Sequence, residues 1–227
     1  MKLSVIIPVY NEQNTLADLL RRVKAVRLAK EIIVVDDGST DRTRQILRRF
    51  AKDGIKIVTF PKNRGKGAAV RKGIEVARGD YIVIQDADLE YHPEDWKKLL
   101  EPVKSRGVKA VYGSRFMGSY RIGLTNFLHF LANRLLTGLT NLLYASRLSD
   151  METAYKLIES KLAQSLNLKS DRFEIEPEIT AKILKKGIKI HEVPISYAGR
   201  QYHEGKKITW RDGLTSLWAI VYYRFFN

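Results

Sequence analysis

Tyr81-Ile82-Val83-Ile84-Gln85-Asp86-Ala87-Asp88-Leu89-Glu90 is an apolar, β-favouring run that ends abruptly in three carboxylates. In open α/β sheets ligands gather outside the carboxyl ends of the strands. Asp86, Asp88 and Glu90 alternate along the chain, so an extended backbone would place them on one side. Hard oxygen ligands in that pattern suit Mg²⁺ or Mn²⁺ shared with a diphosphate. For an isolated Asp-x-Asp, a solvated acidic turn is the plainer alternative.

The chain before this stretch alternates strand and helix. Leu3 to Val9 is a short apolar run closed by Pro8-Val9-Tyr10-Asn11-Glu12. Asn14 or Thr15 then offers a cap for a helix with Leu16, Leu19, Leu20 and Val23 at helical spacing. Glu31 to Val35 is a second strand ending in Asp36-Asp37-Gly38-Ser39-Thr40, and Thr43, Ile46, Leu47 and Phe50 share one face of the next helix. Ile55 to Phe60 is a third strand. A basic glycine-rich turn, Asn63-Arg64-Gly65-Lys66-Gly67, opens a helix over Ala68 to Ala77. This rhythm predicts an α/β fold with a mostly parallel, doubly wound sheet covered by helices on both faces.

Composition narrows the chemistry. The chain has 227 residues, 44% of them hydrophobic, enough for a sizeable core. Forty Lys and Arg against 25 Asp and Glu leave a net charge of +15, which favours a polyanionic partner. Cysteine is absent, which excludes disulfides, zinc-thiolate sites and a cysteine nucleophile. The N-terminus runs straight into a strand, so the protein is expected not to be secreted. No window holds 18 uninterrupted apolar residues, so no membrane-spanning helix is expected.

Beyond about residue 115 the pattern changes. Leu124, Phe127, Leu128, Leu131, Leu135, Leu139 and Leu142 recur at helical spacing, opposite Thr125, His129, Asn133, Thr137 and Asn141. The wide apolar stripe reads as an interfacial amphipathic helix, or two helices broken near Gly138; a core helix is the alternative. The segment over 118–145 is therefore expected at a membrane interface. So is a C-terminal amphipathic helix over 213–227, whose aromatic residues and Arg224 suit a membrane–water boundary.

Four motifs occur in order: Pro8-Val9-Tyr10-Asn11-Glu12, Val35-Asp36-Asp37-Gly38-Ser39-Thr40-Asp41, Asn63-Arg64-Gly65-Lys66-Gly67-Ala68-Ala69 and Asp86-Ala87-Asp88. Together they resemble the family 2 inverting glycosyltransferases of the GT-A, Rossmann-like fold. Gly113-Ser114-Arg115-Phe116, Asn133-Arg134-Leu135, Asp150-Met151-Glu152-Thr153-Ala154-Tyr155-Lys156 and Glu192-Val193-Pro194-Ile195-Ser196-Tyr197 resemble the dolichyl-phosphate mannose and glucose synthases within it. The likeness spans nearly the whole chain and implies one catalytic domain over 1–227.

That resemblance implies a site. Pro8, Tyr10, Glu12, Asp36 and Asp37 would surround the base and ribose of a nucleotide-sugar, with Lys66, Gly67, Asp86 and Ala87 nearby. Carboxylates suit base N–H groups and ribose hydroxyls, which donate. Asp36 to Thr40 also reads as a plain capped turn, and Gly65 and Gly67 as a tight turn. Asp86, Asp88 and Glu90 would hold Mg²⁺ or Mn²⁺, although the related mannose synthases commonly carry Gln where this chain has Glu90. An acceptor phosphomonoester has its second pKa near about 6 and needs no general base. It needs cations, ideally the planar fork of arginine. Arg115, Arg134 and Arg200 stand where the family places these groups, with Ser114 and Thr137 as hydroxyl donors. Asp88 and the three arginines are thus the expected catalytic set. Glu174, Glu176 and Glu178 hold a family-like position beside the sugar, or are helix N-terminal acids favoured by the dipole. A basic loop over 197–208 would fold across the loaded site and exclude water.

The implied reaction moves a hexose, with mannose from GDP-mannose favoured, to dolichyl or polyprenyl phosphate on the cytoplasmic membrane face. UDP-glucose or UDP-N-acetylglucosamine donors are the runners-up, and a saccharide acceptor is the further alternative. The protein would dock peripherally or through a membrane-embedded protein partner. Nucleic acid is not expected, because the basic residues are scattered and the acid triplet would repel phosphate.

Overall fold

The computed structural model describes residues 1–117, 127–199 and 209–226. Seven strands form one sheet: β1 (Leu3–Val9), β2 (Lys30–Asp36), β3 (Lys56–Thr59), β4 (Tyr81–Ile84), β5 (Ala110–Ser114), β6 (Lys156–Glu159) and β7 (His191–Pro194). Their spatial order is β3-β2-β1-β4-β6-β5-β7. β3, β2, β1 and β4 pair in parallel. β6 runs antiparallel between β4 and β5, and β5 is parallel to β7. The mostly parallel, doubly wound expectation is met, with one reversed strand.

Side-chain alternation explains why both faces are covered. Leu3, Val5, Ile7 and Val9 of β1, Ile32 and Val34 of β2 and Val83 of β4 point to one core. There they meet α1 (Leu16–Ala25), α2 (Thr43–Phe50) and α4 (Trp96–Arg106) through Leu19, Leu47 and Trp96. Ile6, Ile33, Val35, Ile82 and Ile84 point the other way. They meet α3 (Lys66–Val76), α6 (Ser160–Ser165) and α7 (Ile175–Lys185). Burial on both faces is what near-continuous Val/Ile strands require.

Several boundaries differ from expectation. β4 ends at Ile84, and Asp86 to Glu90 form a turn in which Leu89 takes φ 65. The three carboxylates therefore do not sit on an extended strand. β7 covers His191–Pro194, and further along Tyr197 makes an isolated antiparallel bridge to Tyr91. α5 (Phe127–Tyr144) runs unbroken through Gly138. α8 (Trp210–Phe225) starts before 213 because Thr209 and Asp212 form a capping box. Residues 118–126 of the expected interfacial segment, and Arg200 with the loop over 200–208, lie outside the described residues.

α5 packs on α8 and α7 through its polar side. Asn133, Thr137 and Thr140 are buried, whereas Leu131, Leu135 and Leu142 are exposed, Leu142 by 79%. Leu136, Leu139 and Leu143 flank the core. The polar stripe of this helix faces the protein. Among the described residues, no helix is long and apolar enough to cross a membrane.

Candidate active site

The carboxyl ends of β1, β2 and β4 converge, and each carries a short acidic or polar loop. Glu12, after β1, takes the Thr15 hydroxyl at 2.7 Å, while its N–H donates to Thr43 Oγ1 at 2.9 Å. Asp36, fully buried at the end of β2, accepts from Arg44 Nε at 2.8 Å and from the Ser39 N–H at 3.0 Å. Asp37 accepts the N–H groups of Arg64 and Gly65 at 2.7 and 2.8 Å and the Asn63 amide at 2.8 Å. Burial nonetheless lifts the Asp37 carboxyl above the usual range. These carboxylates brace the loops that carry them. Pro8 and Tyr10 lie half-buried on the same rim.

The glycines of the basic turn make room for protein. A Cβ on Gly67 would collide with the Ser170 and Asp171 backbone, and one on Gly65 with the Asp171 carbonyl. Gly65 also has φ 104, open to glycine at little cost. α3 can therefore begin at Lys66, flush against residues 170–172, with the Ala68 N–H bonded to Asp171 O at 3.0 Å.

That start aims Lys66 into a buried ionic chain. Its Nζ lies 2.8 Å from Asp86 Oδ1 and 3.0 Å from Glu176 Oε1. Glu176 Oε2 meets Lys156 Nζ at 2.6 Å, and Lys156 also donates to the carbonyls of Met151 and Thr153. Burial opposes charge on Glu176, but Lys156 and Lys66 hold its carboxyl below the usual range. Burial likewise opposes charge on Lys66, and Asp86 and Glu176 overcome it.

Asp88 stands two residues past Asp86, half-buried, with Oδ1 accepting the Glu90 N–H at 3.1 Å. Ala87 between them is buried. Glu90 Oε2 accepts the Tyr197 hydroxyl at 2.6 Å, and its carbonyl accepts the Ala198 N–H at 2.9 Å. The expected three-carboxylate metal cluster is not formed: among the described residues no three His, Cys, Asp or Glu side chains converge to hold an ion. Mg²⁺ and Mn²⁺ need no such cage, because one or two carboxylates completed by substrate phosphates and water suffice. Asp86 and Asp88, hard donors at a strand end, fit an ion held that way.

A second cluster lies across the sheet end. Arg115, just after β5, grips Asp150 with Nε and Nη2 at 2.7 Å each, and its backbone N–H adds a third bond at 3.0 Å. Its guanidinium also lies over the Tyr197 ring, 5.2 Å from the centroid. Burial works against charge on both partners, yet their mutual attraction keeps Asp150 ionised and Arg115 protonated. Asn133 of α5 donates to Asp150 Oδ1 at 2.9 Å, and Thr137 joins Asn133 to the Met151 N–H. Ser114 Oγ pairs with Ser149 Oγ at 2.6 Å. Ser114 and Thr137 thus have partners within the protein, while Arg134 is exposed on α5.

The structure brings Asp86, Asp88, Lys66 and Arg115 to one edge. It adds Asp150, Lys156 and Tyr197, to which the motifs assigned no role. Lys156 had a signal in sequence: a charge inside Ala154-Tyr155-Lys156-Leu157-Ile158 needs a buried partner.

A family model described as glycosyl transferase family 2 matches residues 4–166. A dolichol-phosphate mannosyltransferase of Pyrococcus furiosus is 33% identical over 211 residues, covering 91% of this chain and 59% of that protein. The low-salt glycan biosynthesis hexosyltransferase Agl6 of Haloferax volcanii is 34% identical over 203 residues, covering 88% and 48%. The chain thus spans about half of one of these relatives and about three-fifths of the other. Glucosyl-3-phosphoglycerate synthase from Mycobacterium tuberculosis, solved with Mn²⁺, UDP and phosphoglyceric acid, superposes with a TM-score of 0.74 at 20% identity over 100% of this chain and 79% of its own. That likeness shows the GT-A fold. With most of its length fitting the family model, the chain belongs to glycosyl transferase family 2 and is a glycosyltransferase.

Proposed function

We propose that this enzyme transfers a hexosyl group from a nucleotide-sugar to the phosphate of a polyprenyl lipid, docked peripherally on the inner face of a membrane. GDP-mannose is the first donor to test, followed by UDP-glucose and UDP-N-acetylglucosamine. The observation that carries the reading is the inverted amphipathicity of α5. Its polar side binds Asp150 beside Arg115, and its exposed leucines stand outward with Trp210, Leu214, Trp218 and Phe225 of the adjoining α8. Aromatic and aliphatic residues in that arrangement, with Arg134 and Arg224 among them, suit a lipid interface. The mannosyltransferase relative bears a lipid phosphate in its name.

In this reading the acceptor phosphate, already a dianion near neutral pH, attacks the anomeric carbon. The new bond is phosphate oxygen to carbon; the bond from that carbon to the diphosphate breaks, and nucleoside diphosphate departs. Arg115, Arg134 and Arg200 orient the acceptor, with Ser114 and Thr137 holding the surrounding loop and helix. Pro8, Tyr10, Glu12, Asp36 and Asp37 shape the nucleoside wall, and Lys66 lies under the diphosphate, with Gly67 seating its helix against residues 170–172. A divalent cation held by Asp86 and Asp88 would offset charge on the leaving diphosphate. Glu90 fits better as a tie to Tyr197 than as a metal ligand.

Vesicle sedimentation tests the docking. Wild type should pellet with anionic vesicles containing polyprenyl phosphate, and a Leu135→Asp/Leu142→Asp variant should stay in the supernatant, because charge among acyl chains is unfavourable. Binding that survives both changes and disappears in high salt would assign docking to the basic surface alone.

A further inference from the structure

Glu152 has no part in the site described so far. It lies in the turn between Asp150, which holds Arg115, and Lys156, which holds Glu176. β6 runs antiparallel beside β5, with Lys156 opposite Tyr112, so this turn overhangs the carboxyl edge of β5. Glu152 Oε1 is buried and has no hydrogen-bond partner among the described residues. Ser216 of α8 stands against the carboxyl, and the charged groups facing it are Lys156 of β6, Glu176 of α7 and Arg115 after β5.

A buried carboxylate oxygen left without a donor is costly, and a native structure that keeps one calls for an explanation. Position supplies it. Asp86 and Lys66 lie on the donor-diphosphate side, and Arg115 lies on the acceptor side. In an inverting transfer the hexose must sit between the two. The charges of Glu176 and Lys156, which join on to Lys66, and that of Arg115 all act on Glu152. The ligand chemistry that satisfies a lone carboxylate oxygen there is a hydroxyl donor. A hexose carries several.

We propose that Glu152 is a sugar-recognition residue, its unpartnered oxygen accepting a hydroxyl of the donor hexose. The inference rests on the nucleotide-sugar reading above. It has a thermodynamic signature that a purely structural acid would lack. Burial raises the Glu152 carboxyl to about 7; Glu176 adds to the rise, and Lys156 and Arg115 oppose it. A donated hydroxyl favours the ionised form and lowers that pKa. Nucleotide-sugar binding at neutral pH should therefore release protons, and nucleoside diphosphate alone should release fewer.

Calorimetric titration of the full chain at pH 7, with Mg²⁺ and in buffers of different ionisation enthalpy, reads this directly. The ligands are GDP-mannose, UDP-glucose and UDP-N-acetylglucosamine beside GDP and UDP. Wild type should release more protons with the nucleotide-sugar it binds than with the matching diphosphate. Glu152→Gln should abolish that difference and weaken the nucleotide-sugar about tenfold, as expected when a charge-assisted hydrogen bond becomes neutral. Diphosphate affinity should not change, which also shows that the variant is folded. Equal proton release with sugar and diphosphate, or equal weakening of both in Glu152→Gln, overturns the role of Glu152 alone. Failure of wild type to bind any of the three nucleotide-sugars overturns the donor reading, and this inference with it.

Discussion

Lys66 joins two carboxylates that would otherwise repel: Asp86 at the end of β4 and Glu176 at the start of α7. Asp88 stands on the same loop, two residues beyond Asp86, where a cation on the donor diphosphate would be held, so its loss should touch chemistry most. In Asp88→Ala the Glu90 N–H loses its acceptor, and a bond of that kind contributes about 1 kcal/mol. Transfer should nevertheless fall by roughly a hundredfold or more, and excess EDTA should do the same to wild type. Undiminished turnover in either case would remove the divalent cation from the account. Arg115→Lys keeps a charge but loses the fork on Asp150. It should cost about 1.5–3 kcal/mol in denaturant unfolding and slow transfer roughly ten- to a hundredfold. Wild-type stability in that variant would mean that the Asp150 pair carries little. Glu152 gives a pH signature. Its folded pKa is raised above the unfolded value, so its contribution is full at acid pH and is lost as pH rises through about 7. The melting temperature of Glu152→Gln relative to wild type should therefore climb from pH 4.5 to 7 and level off above; a flat difference would contradict the raised pKa.

The elements differ in how far sequence foretold them. Alternation in Val5-Ile6-Ile7 and Ile32-Ile33-Val34-Val35, with helical spacing in Leu16 to Val23, sufficed for a two-faced sheet. Past β4, alternation of Asp86, Asp88 and Glu90 would put the acids on one side only if the backbone stayed extended, and Leu89 turns it. For α5, periodicity supplied two faces but could not say which one met the protein. That depended on Asp150 and Met151, further along the chain. The glycines of the basic turn were equally opaque, since their partners at 170–172 are about a hundred residues away. Gly67→Ala tests that packing. Overpacking against backbone that cannot yield should cost on the order of 1–3 kcal/mol, measured by urea unfolding, with nucleotide affinity falling as α3 and Lys66 shift. An unperturbed Gly67→Ala protein would return the glycine to the ligand.

At the scale of the molecule, the motifs mark one edge of the sheet, but they do not tell which groups pair along it. Asp86, Asp88 and Arg115 could be named from their motifs. The ionic chain from Asp86 to Lys156 and the clasp of Arg115 by Asp150 arise only when β6 inserts between β4 and β5. The result is an enzyme with a metal-suited loop on one side, an arginine on the other, and two helices turning leucine and tryptophan outward. The M. tuberculosis neighbour shares the fold and was crystallised with a soluble phosphate, phosphoglyceric acid, so the acceptor is the point on which the account stands. The direct measurement supplies one radiolabelled nucleotide-sugar at a time, with Mg²⁺ and vesicles, and offers polyprenyl phosphate and 3-phosphoglycerate as competing acceptors. Label is expected in the organic phase as a hexosyl polyprenyl phosphate, dependent on the lipid. Label found only on 3-phosphoglycerate or another water-soluble acceptor would contradict it.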